Sequence, residues 1–260
     1  MDNSSQVKTI DRLVQVLDCF SHERQAWSLA ELATELDLPK STLHRFLVGL
    51  QVHGILRRDA NDKKWRLGYH LFIWGSLAAE STTLREIARP VMCELVAESG
   101  ETALLTVYQD HTVICIDKCE TSHPVRLALE VGTRRGAHAG ASSKVLMAHL
   151  PDEEVEAIVR DKGLPRLCTN TITDLDELKA ELARIRERGH AVSIEETDLG
   201  AWGVATPIRN WKSQVVGAIG LVGPTMRHSK DKVRQYVTLC CKAAEKVSVL
   251  LNAGSGLTRE

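Results

Sequence analysis

The stretch SLAELATELDLPKSTLHRFLVGLQVHGIL, Ser28 to Leu56, reads as two short amphipathic helices separated by Asp37, Leu38, Pro39 and Lys40. Ser28 can accept an orphan backbone N–H at the start of the first helix, and Glu31 three residues on completes a capping box. Leu29, Leu32, Ala33 and Leu36 then share one face at helical spacing. Pro39 cannot continue that helix, yet its fixed φ suits the first turn of the next, where its missing N–H costs nothing. In the second helix Leu43, Phe46, Leu47 and Leu50 form the buried stripe, leaving Lys40, Ser41, Thr42, His44 and Arg45 on the other side. Hydroxyls and cations near a helix N-terminus reach phosphates and base edges together, so the pattern is a helix-turn-helix with its recognition helix second. A solvated helix face would show the same five residues, and the next stretch decides against it.

Gly54 ends the helix, and Ile55–Arg58 and Lys64–Leu67 read as short strands around an Asp-Ala-Asn-Asp turn. A hairpin directly after a recognition helix is a wing. Between residues 40 and 70 the cations Lys40, Arg45, Arg57, Arg58, Lys63, Lys64 and Arg66 face only Asp59 and Asp62. Lys40, Arg58, Lys63, Lys64 and Arg66 are therefore the phosphate candidates, and Ser41, Thr42, His44 and Arg45 the base-reading ones. The whole chain has a formal net charge of -1, so contact with double-stranded DNA must be local.

Upstream, residues 1–6 are polar and expected to be loose, and Val7–Phe20 carries Ile10, Leu13, Val14, Leu17 and Phe20 at helical period. Downstream, YHLFIWGSLAAES (69–81) places Tyr69, Leu71, Phe72, Trp74 and Leu77 on one helix. This is more apolar surface than a small winged domain can hide, and it implies a second copy of the chain as partner. The divisions are then a winged domain at 1–68, a dimerising linker helix at 69–82, a larger domain at 83–252 and a disordered tail at 253–260.

The larger domain opens with a helix, Thr83–Ser99, interrupted by Pro90. Thr102–Tyr108 and Val113–Asp117 form a hairpin, with Val125–Val131 as a third strand and a glycine-punctuated loop over 132–140. Helices follow at Ala141–Leu150, from Pro151 to Val159, and after a Thr173 cap to Arg188, closed by Gly189. Strands near Ala191–Glu195, Val204–Arg209 and Val215–Leu221 precede a last helix, Ser229–Leu251. The fold class is α+β, a winged helix-turn-helix followed by a mainly antiparallel sheet domain.

At 260 residues and 43% hydrophobic, the chain can bury two cores. Its seven cysteines include no CxxC pair, so they read as reduced thiols without a zinc site, and the vicinal Cys240-Cys241 as helix filler. Neither a signal peptide nor an apolar run near the ~20 residues of a membrane span is present, which points to a cytoplasmic protein with no membrane partner. No motif calls for a cofactor or metal.

Three stretches together carry a family resemblance: TIDRLVQVLDCF (9–20) with LAELATELDLPKSTLHRFLVGL (29–50), GETALLTVYQDHTVICIDKCETSHPVRL (100–127), and RERGHAVSIEETDLGAWGVATPIRNWKSQVVGAIGLVGP (186–224). The chain resembles the IclR-type bacterial transcription regulators over about residues 7–251. The resemblance implies a GAF-like C-terminal domain that binds a small-molecule effector, in a homodimer or dimer of dimers on an operator. It implies a cavity lined by Ala139–Ser143, Ser193–Val204 and Gly220–Val222, with His138, Ala141, Ser142, Ser143, Ser193, Asp198, Trp202, Gly203, Gly220 and Val222 as effector-binding candidates. Members that bind small carboxylates have a cysteine where this chain has Gly203, and serines where it has Gly220 and Val222. With those polar groups gone and Trp202 as an aromatic wall, the expected effector is aromatic or neutral, although Arg126, His138, Ser142 and Ser143 remain as anchors for a carboxylate.

Two rivals compete with a regulator, more in keeping with a repressor than an activator. One is an enzyme of small-molecule metabolism or a ligand-binding GAF-like protein with an accessory DNA module. The other is a scaffold whose sensor binds nothing. Adjacent Glu195 and Glu196 on an extended segment point to opposite faces and make no acid–base dyad. GTRRGAHAGASSK (132–144) lacks the G-x-x-x-x-G-K-[ST] phosphate loop, and no G-x-S-x-G or H-E-x-x-H occurs. No catalytic residue is assigned.

Overall fold

The computed structural model describes residues 3–21, 23–80 and 83–254, and the chain divides into two compact units, Met1–Ser81 and Thr82–Glu260. The tail expected to be disordered lies, from residue 255 onward, outside the described residues, as does the side chain of Leu77.

In the first unit, α1 (Asn3–Asp18) begins ahead of the expected Val7, because Ser4, Ser5 and Gln6 include no helix breaker. Among its described side chains Val16 is the buried one, flanked by Leu13 and Leu17, whereas Ile10 and Val14 of the expected stripe stay exposed. The capping box of α2 (Leu29–Glu35) is present in full: Ser28 Oγ accepts from Glu31 N at 3.2 Å, and Glu31 Oε2 accepts from Ser28 N at 2.7 Å. Asp37 makes the turn at φ 48°, and α3 (Lys40–Val52) buries Leu43, Leu47 and Leu50. The wing strands β1 (Leu56–Arg58) and β2 (Trp65–Leu67) pair antiparallel. Trp65 also exchanges two backbone hydrogen bonds with Trp27, of 3.0 and 2.7 Å, and both indoles are buried.

Gly68 fixes how α4 (Tyr69–Glu80) leaves the wing. A Cβ there would fall 2.0 Å from Gly54 O, so only glycine permits the approach that lets Gly68 N donate to Ile55 O at 2.7 Å. Of the apolar residues expected to be exposed on α4, Tyr69, Phe72 and Trp74 are, and Ile73 joins them, whereas Leu71 is half-buried.

The second unit runs α5 (Thr83–Ser99), β3 (Thr102–Gln109), β4 (Thr112–Cys119), β5 (Arg134–Gly136), α6 (Ala141–Met147), α7 (Asp152–Lys162), α8 (Leu175–Arg188), β6 (Ala191–Ile194), β7 (Ala201–Arg209), β8 (Val215–Pro224) and α9 (Lys230–Gly254). The strands form one antiparallel sheet in the order β5-β4-β3-β8-β7-β6. Asp110 and His111, both at positive φ, turn the β3–β4 hairpin. Side-chain alternation sends Ala103, Leu105, Ile219 and Leu221 to one face, where they meet α5 and α9. Ala191, Ala205 and Ala218 go to the other, where small residues let α6 and α8 come close.

Several expectations need correction. Val125–Val131 is not a strand, and the third strand is Arg134–Gly136, inside the stretch expected to be loop. Pairing with β4 starts only where Gly132 N donates to Cys115 O at 2.7 Å and Cys115 N to Thr133 O at 3.1 Å. Upstream of that, Val125 O accepts from Arg227 instead, and Leu129 N turns back onto Leu127 O. Asp174, not Thr173, caps α8: its side chain accepts from Glu177 N at 2.9 Å, while Thr173 Oγ1 accepts from Arg166. Helix α5 runs through Pro90 as one element, α6 stops at Met147 rather than Leu150, and α9 extends through Ala253 and Gly254.

Candidate functional site

On α3, Lys40, Ser41, His44 and Arg45 are exposed and Thr42 is half-buried; Ser41 and Arg45 lie opposite the buried leucines, Thr42 and His44 flank them, and Lys40 is exposed at the helix start on the leucines' own side. Pro39 precedes the helix without a side-chain cap, so the first backbone N–H groups of α3 stay open beside Ser41 and Thr42. The exposed stripe continues through Val48 and Val52, which the hydrophobic pattern alone had not set on this side.

The wing cations are not equivalent. Lys63 is exposed in the turn with φ 57°, and half-buried Lys64 closes the turn, its O accepting from Asp59 N at 2.9 Å. Arg58 donates from Nε to Lys63 O at 3.1 Å, bracing the turn. Arg66 is held by Asp62 at 2.7 Å and Asp59 at 3.3 Å, and its guanidinium keeps Asp62 at about 2. Of the wing residues expected to hold phosphate, Arg66 is thus already neutralised within its own hairpin.

In the second unit a cavity of about 280 Å³ opens on the α6 side of the sheet. Ala141, Ser142, Ser143, Ser193, Asp198 and Val222, all expected there, line it. They are joined by Leu104, Thr106, Val113 and Cys115 from the sheet, by Leu127, Ala128 and Leu129, and by Thr133, Arg135 and Thr197. Burial pushes the Cys115 thiol up to about 11, so it meets the cavity as a neutral group. The segment 125–131 covers one side. It is tied at Val125 by Arg227, which also grips buried Glu101 at 2.6 and 2.8 Å, and at Gly132 by Cys115.

Four expected residues do not take their expected places. Trp202 borders the cavity where β7 passes, but its indole lies in the core behind the sheet, stacked on Tyr236 at 4.9 Å with the planes 1° apart, and Nε1 donates to Pro224 O. No aromatic wall results, because alternation along β7 turns that side chain away. His138 is buried with Nε2 3.1 Å from Pro165 O, outside the lining. Gly220 is also outside it, since a Cβ there would lie 2.4 Å from Val204 O and the position is closed by backbone. Gly203 sits beneath the floor: a Cβ would touch Ser193, Ala141 and Val222 at 3.4–3.5 Å, ordinary contact. Arg126, held in reserve as an anchor, is exposed and pairs with Glu120.

Two features escaped the sequence pattern. Lys144 is fully buried and donates to Glu196 Oε1 at 2.5 Å, while Glu196 Oε2 accepts from Gly140 N at 3.0 Å. This latch holds the loop before α6 against the β6–β7 turn. Arg135 lines the cavity and its NH1 donates to Asp198 Oδ2 at 2.9 Å. Arg135 lies in the run read only as a failed phosphate loop, and nothing in its spacing ties it to a residue 63 positions later. Among the described residues no cluster of three or more His, Cys, Asp or Glu could hold a metal, and no helix is long and apolar enough to cross a membrane.

A basic recognition helix and wing on one unit, and on the other a half-open cavity between the sheet, α6 and the segment 125–131, are the parts of a ligand-responsive DNA-binding protein. Residues 9–60 match the IclR helix-turn-helix domain and residues 76–249 the C-terminal domain of bacterial transcriptional regulator IclR. The chain belongs to the IclR family of bacterial transcriptional regulators. It is 32% identical to the transcriptional repressor IclR of Escherichia coli K12 over 248 residues, 95% of this chain and 90% of that one. It is 31% identical to the regulator KipR of Bacillus subtilis 168, over 93% of this chain and 96% of that one. A solved IclR homolog from Microbacterium hydrocarbonoxydans, complexed with 4-hydroxybenzoate, superposes with a TM-score of 0.80 at 28% identity, covering 93% of this chain and 98% of that one.

Proposed function

We propose that the protein is a cytoplasmic transcriptional repressor whose operator affinity is set by a small-molecule effector in the cavity of its second unit. The observation that carries this reading is the exposed polar face of α3 together with the cationic wing, on the same chain as the cavity of the second unit. Names of relatives support repression, and the 4-hydroxybenzoate bound by the Microbacterium homolog supports a small organic effector.

The exposed apolar face of α4 supports a homodimer, which would set two recognition helices in successive major grooves of a palindromic site, with a dimer of dimers as a further level. Replacing Phe72 and Trp74 by aspartate is then expected to give monomers on sedimentation. In this reading Lys40, Lys63 and Lys64 hold phosphates, and Ser41, Thr42, His44 and Arg45 face the bases. Ser142, Ser143 and Ser193 offer hydroxyls to the effector. A coupling of about 1 to 3 kcal/mol between the sites would change operator affinity about 5- to 150-fold.

The test is selection of genomic fragments by the purified protein at near-physiological salt with non-specific competitor. Enrichment of one palindromic site is the expected result. Failure to enrich any site at any salt concentration overturns the regulator reading.

A further inference from the structure

Cys93 on α5 and Cys119 at the end of β4 bring their sulfurs to 3.1 Å of each other, although 26 residues separate them in the chain. The contact depends on an irregularity of the sheet. Where β3 meets β4, Leu105 pairs with Asp117 and the next residue, Thr106, with Cys115, which leaves Ile116 as an extra residue on β4. A bulge of this kind reverses the alternation of the strand beyond it. Val113 and Cys115 accordingly face the cavity, whereas Asp117 and Cys119 face α5. On α5, Arg85, Arg89 and Cys93 follow at steps of four and turn one side toward those two residues.

The chain is held on both sides of Cys119. Arg89 NH1 donates to Asp117 Oδ1 at 2.6 Å and to Lys118 O at 2.9 Å, which ties β4 to α5 just before it. Two residues after it, Thr121 Oγ1 donates to Gly100 O at 2.6 Å and Thr121 N to Thr102 Oγ1 at 3.2 Å. The sulfurs of a disulfide lie about 2.0 Å apart, so about 1 Å of approach separates this contact from a bond. The two thiols differ in access. Cys93 is exposed and Cys119 half-buried, while Cys115 and Cys240 are buried. Burial first, then Cys93 beside it, pushes the Cys119 thiol up to about 11, so Cys119 stays protonated. An oxidant in solution therefore meets Cys93 first, with a second thiol already in place behind it.

We propose that Cys93 and Cys119 form a reversible thiol–disulfide site whose oxidant is a hydroperoxide and whose closure bonds α5 to β4. In the first step the Cys93 sulfur attacks a peroxide oxygen and the O–O bond breaks. Cys93 becomes a sulfenic acid, and the departing oxygen leaves with the thiol proton as water or alcohol. In the second step the Cys119 sulfur attacks the Cys93 sulfur, the S–O bond breaks, and hydroxide leaves with the Cys119 proton as water. Two thiols are oxidised and one peroxide is reduced. A dithiol reductant reverses the change by exchange, becoming a disulfide itself. The bond sits four residues from Cys115, on the strand that also lines the cavity, so oxidation stiffens a cavity strand without entering the cavity.

The test is intact mass and peptide mapping of the full chain, reduced, freed of reductant and exposed to a few equivalents of hydrogen peroxide. The expected product has lost two hydrogens, joins its peptides through Cys93 and Cys119, runs as a single chain on non-reducing gels and regains its mass with dithiothreitol. Amide exchange at 90–96 and 116–120 is expected to slow several-fold on oxidation. In Cys119→Ser, dimedone, which captures sulfenic acid, is expected to label Cys93, whereas in Cys93→Ser it leaves Cys119 unlabelled. Equal thermal midpoints of the reduced variants and the reduced wild type report an intact second unit, and the wild-type map decides the matter if a variant fails to fold. A crosslink through another pair of cysteines, a bond between chains, sulfinic acid at Cys93 without a crosslink, unchanged exchange beside the crosslink, or dimedone on Cys119 rather than Cys93 each overturns the proposal. None of these outcomes touches operator selection, so the regulator reading stands or falls separately.

Discussion

Arg135 and Asp198 meet at 2.9 Å although the sheet order places four strands between the elements that carry them. Both side chains are partly exposed, at 34% and 50%, so water screens the pair and its worth to the fold is about 1 kcal/mol or less. Asp198→Asn is therefore expected to shift the denaturation midpoint of the second unit only slightly. Amide exchange at 197–200 and 133–136 should nonetheless quicken, since the ion pair joins those segments. A large stability loss with unchanged exchange would mean that Asp198 acts through the β6–β7 turn alone.

The wing offers a sharper contrast. Lys64 makes no ion pair among the described residues, whereas Arg66 is neutralised by Asp59 and Asp62. Lys64→Ala should weaken binding on all sequences and lower the slope of log affinity against log salt by about one unit. Arg66→Ala should leave the slope nearly unchanged, and its effect should appear as a loosened hairpin. Equal slopes for the two variants would show that Arg66 leaves its aspartates for phosphate on binding.

The latch behind the cavity is open to a charge-only test. Glu196→Gln keeps an acceptor for Gly140 N but leaves Lys144 buried with Glu181 at 3.9 Å as its remaining carboxylate. Losing one partner of a buried pair costs about 3 to 5 kcal/mol, measured here by urea unfolding of the second unit. Adding Lys144→Met should return most of that loss. A cost below about 1 kcal/mol for the single variant would mean that Glu181 moves in to replace Glu196.

The first unit was largely legible because its signals are local. Ser28 with Glu31, Pro39, Gly54 and the leucine spacing of α3 each act within one or two turns of chain, where capping and period decide the outcome. The cavity was legible only in outline. Alternation along β7 sends Trp202 behind the sheet, but which face of a strand meets which helix is set by pairing between distant strands. For the same reason the alternating run 125–131, with Val125, Leu127, Leu129 and Val131 at every second position, looked like a strand, while its backbone partners are Arg227 and the turn at Leu127. Arg135 and Lys144 were invisible as functional groups, since their partners lie 63 and 52 residues away.

His149 gives a prediction in pH. It is partly buried beside Arg209 and Arg186, and burial first, then those two cations, hold its imidazole down at about 4. Arg209 NH2 lies 3.3 Å from Nε2, an arrangement that needs this nitrogen unprotonated. In the unfolded chain the ring titrates near 6.5, so between about 6.5 and 4 the unfolded state binds more protons than the folded one. The stabilisation is thus complete above pH 6.5 and is lost as pH falls toward 4, by about 1 to 2 kcal/mol once solvent screening of this half-exposed group is allowed for. His149→Gln keeps an acceptor for Arg209 and removes the titration, so the stability of the second unit should fall less steeply over that range than in the wild type. Parallel pH profiles for the two proteins would place the proton uptake elsewhere, and an NMR titration of the wild type showing an ordinary imidazole midpoint would refute the assignment directly.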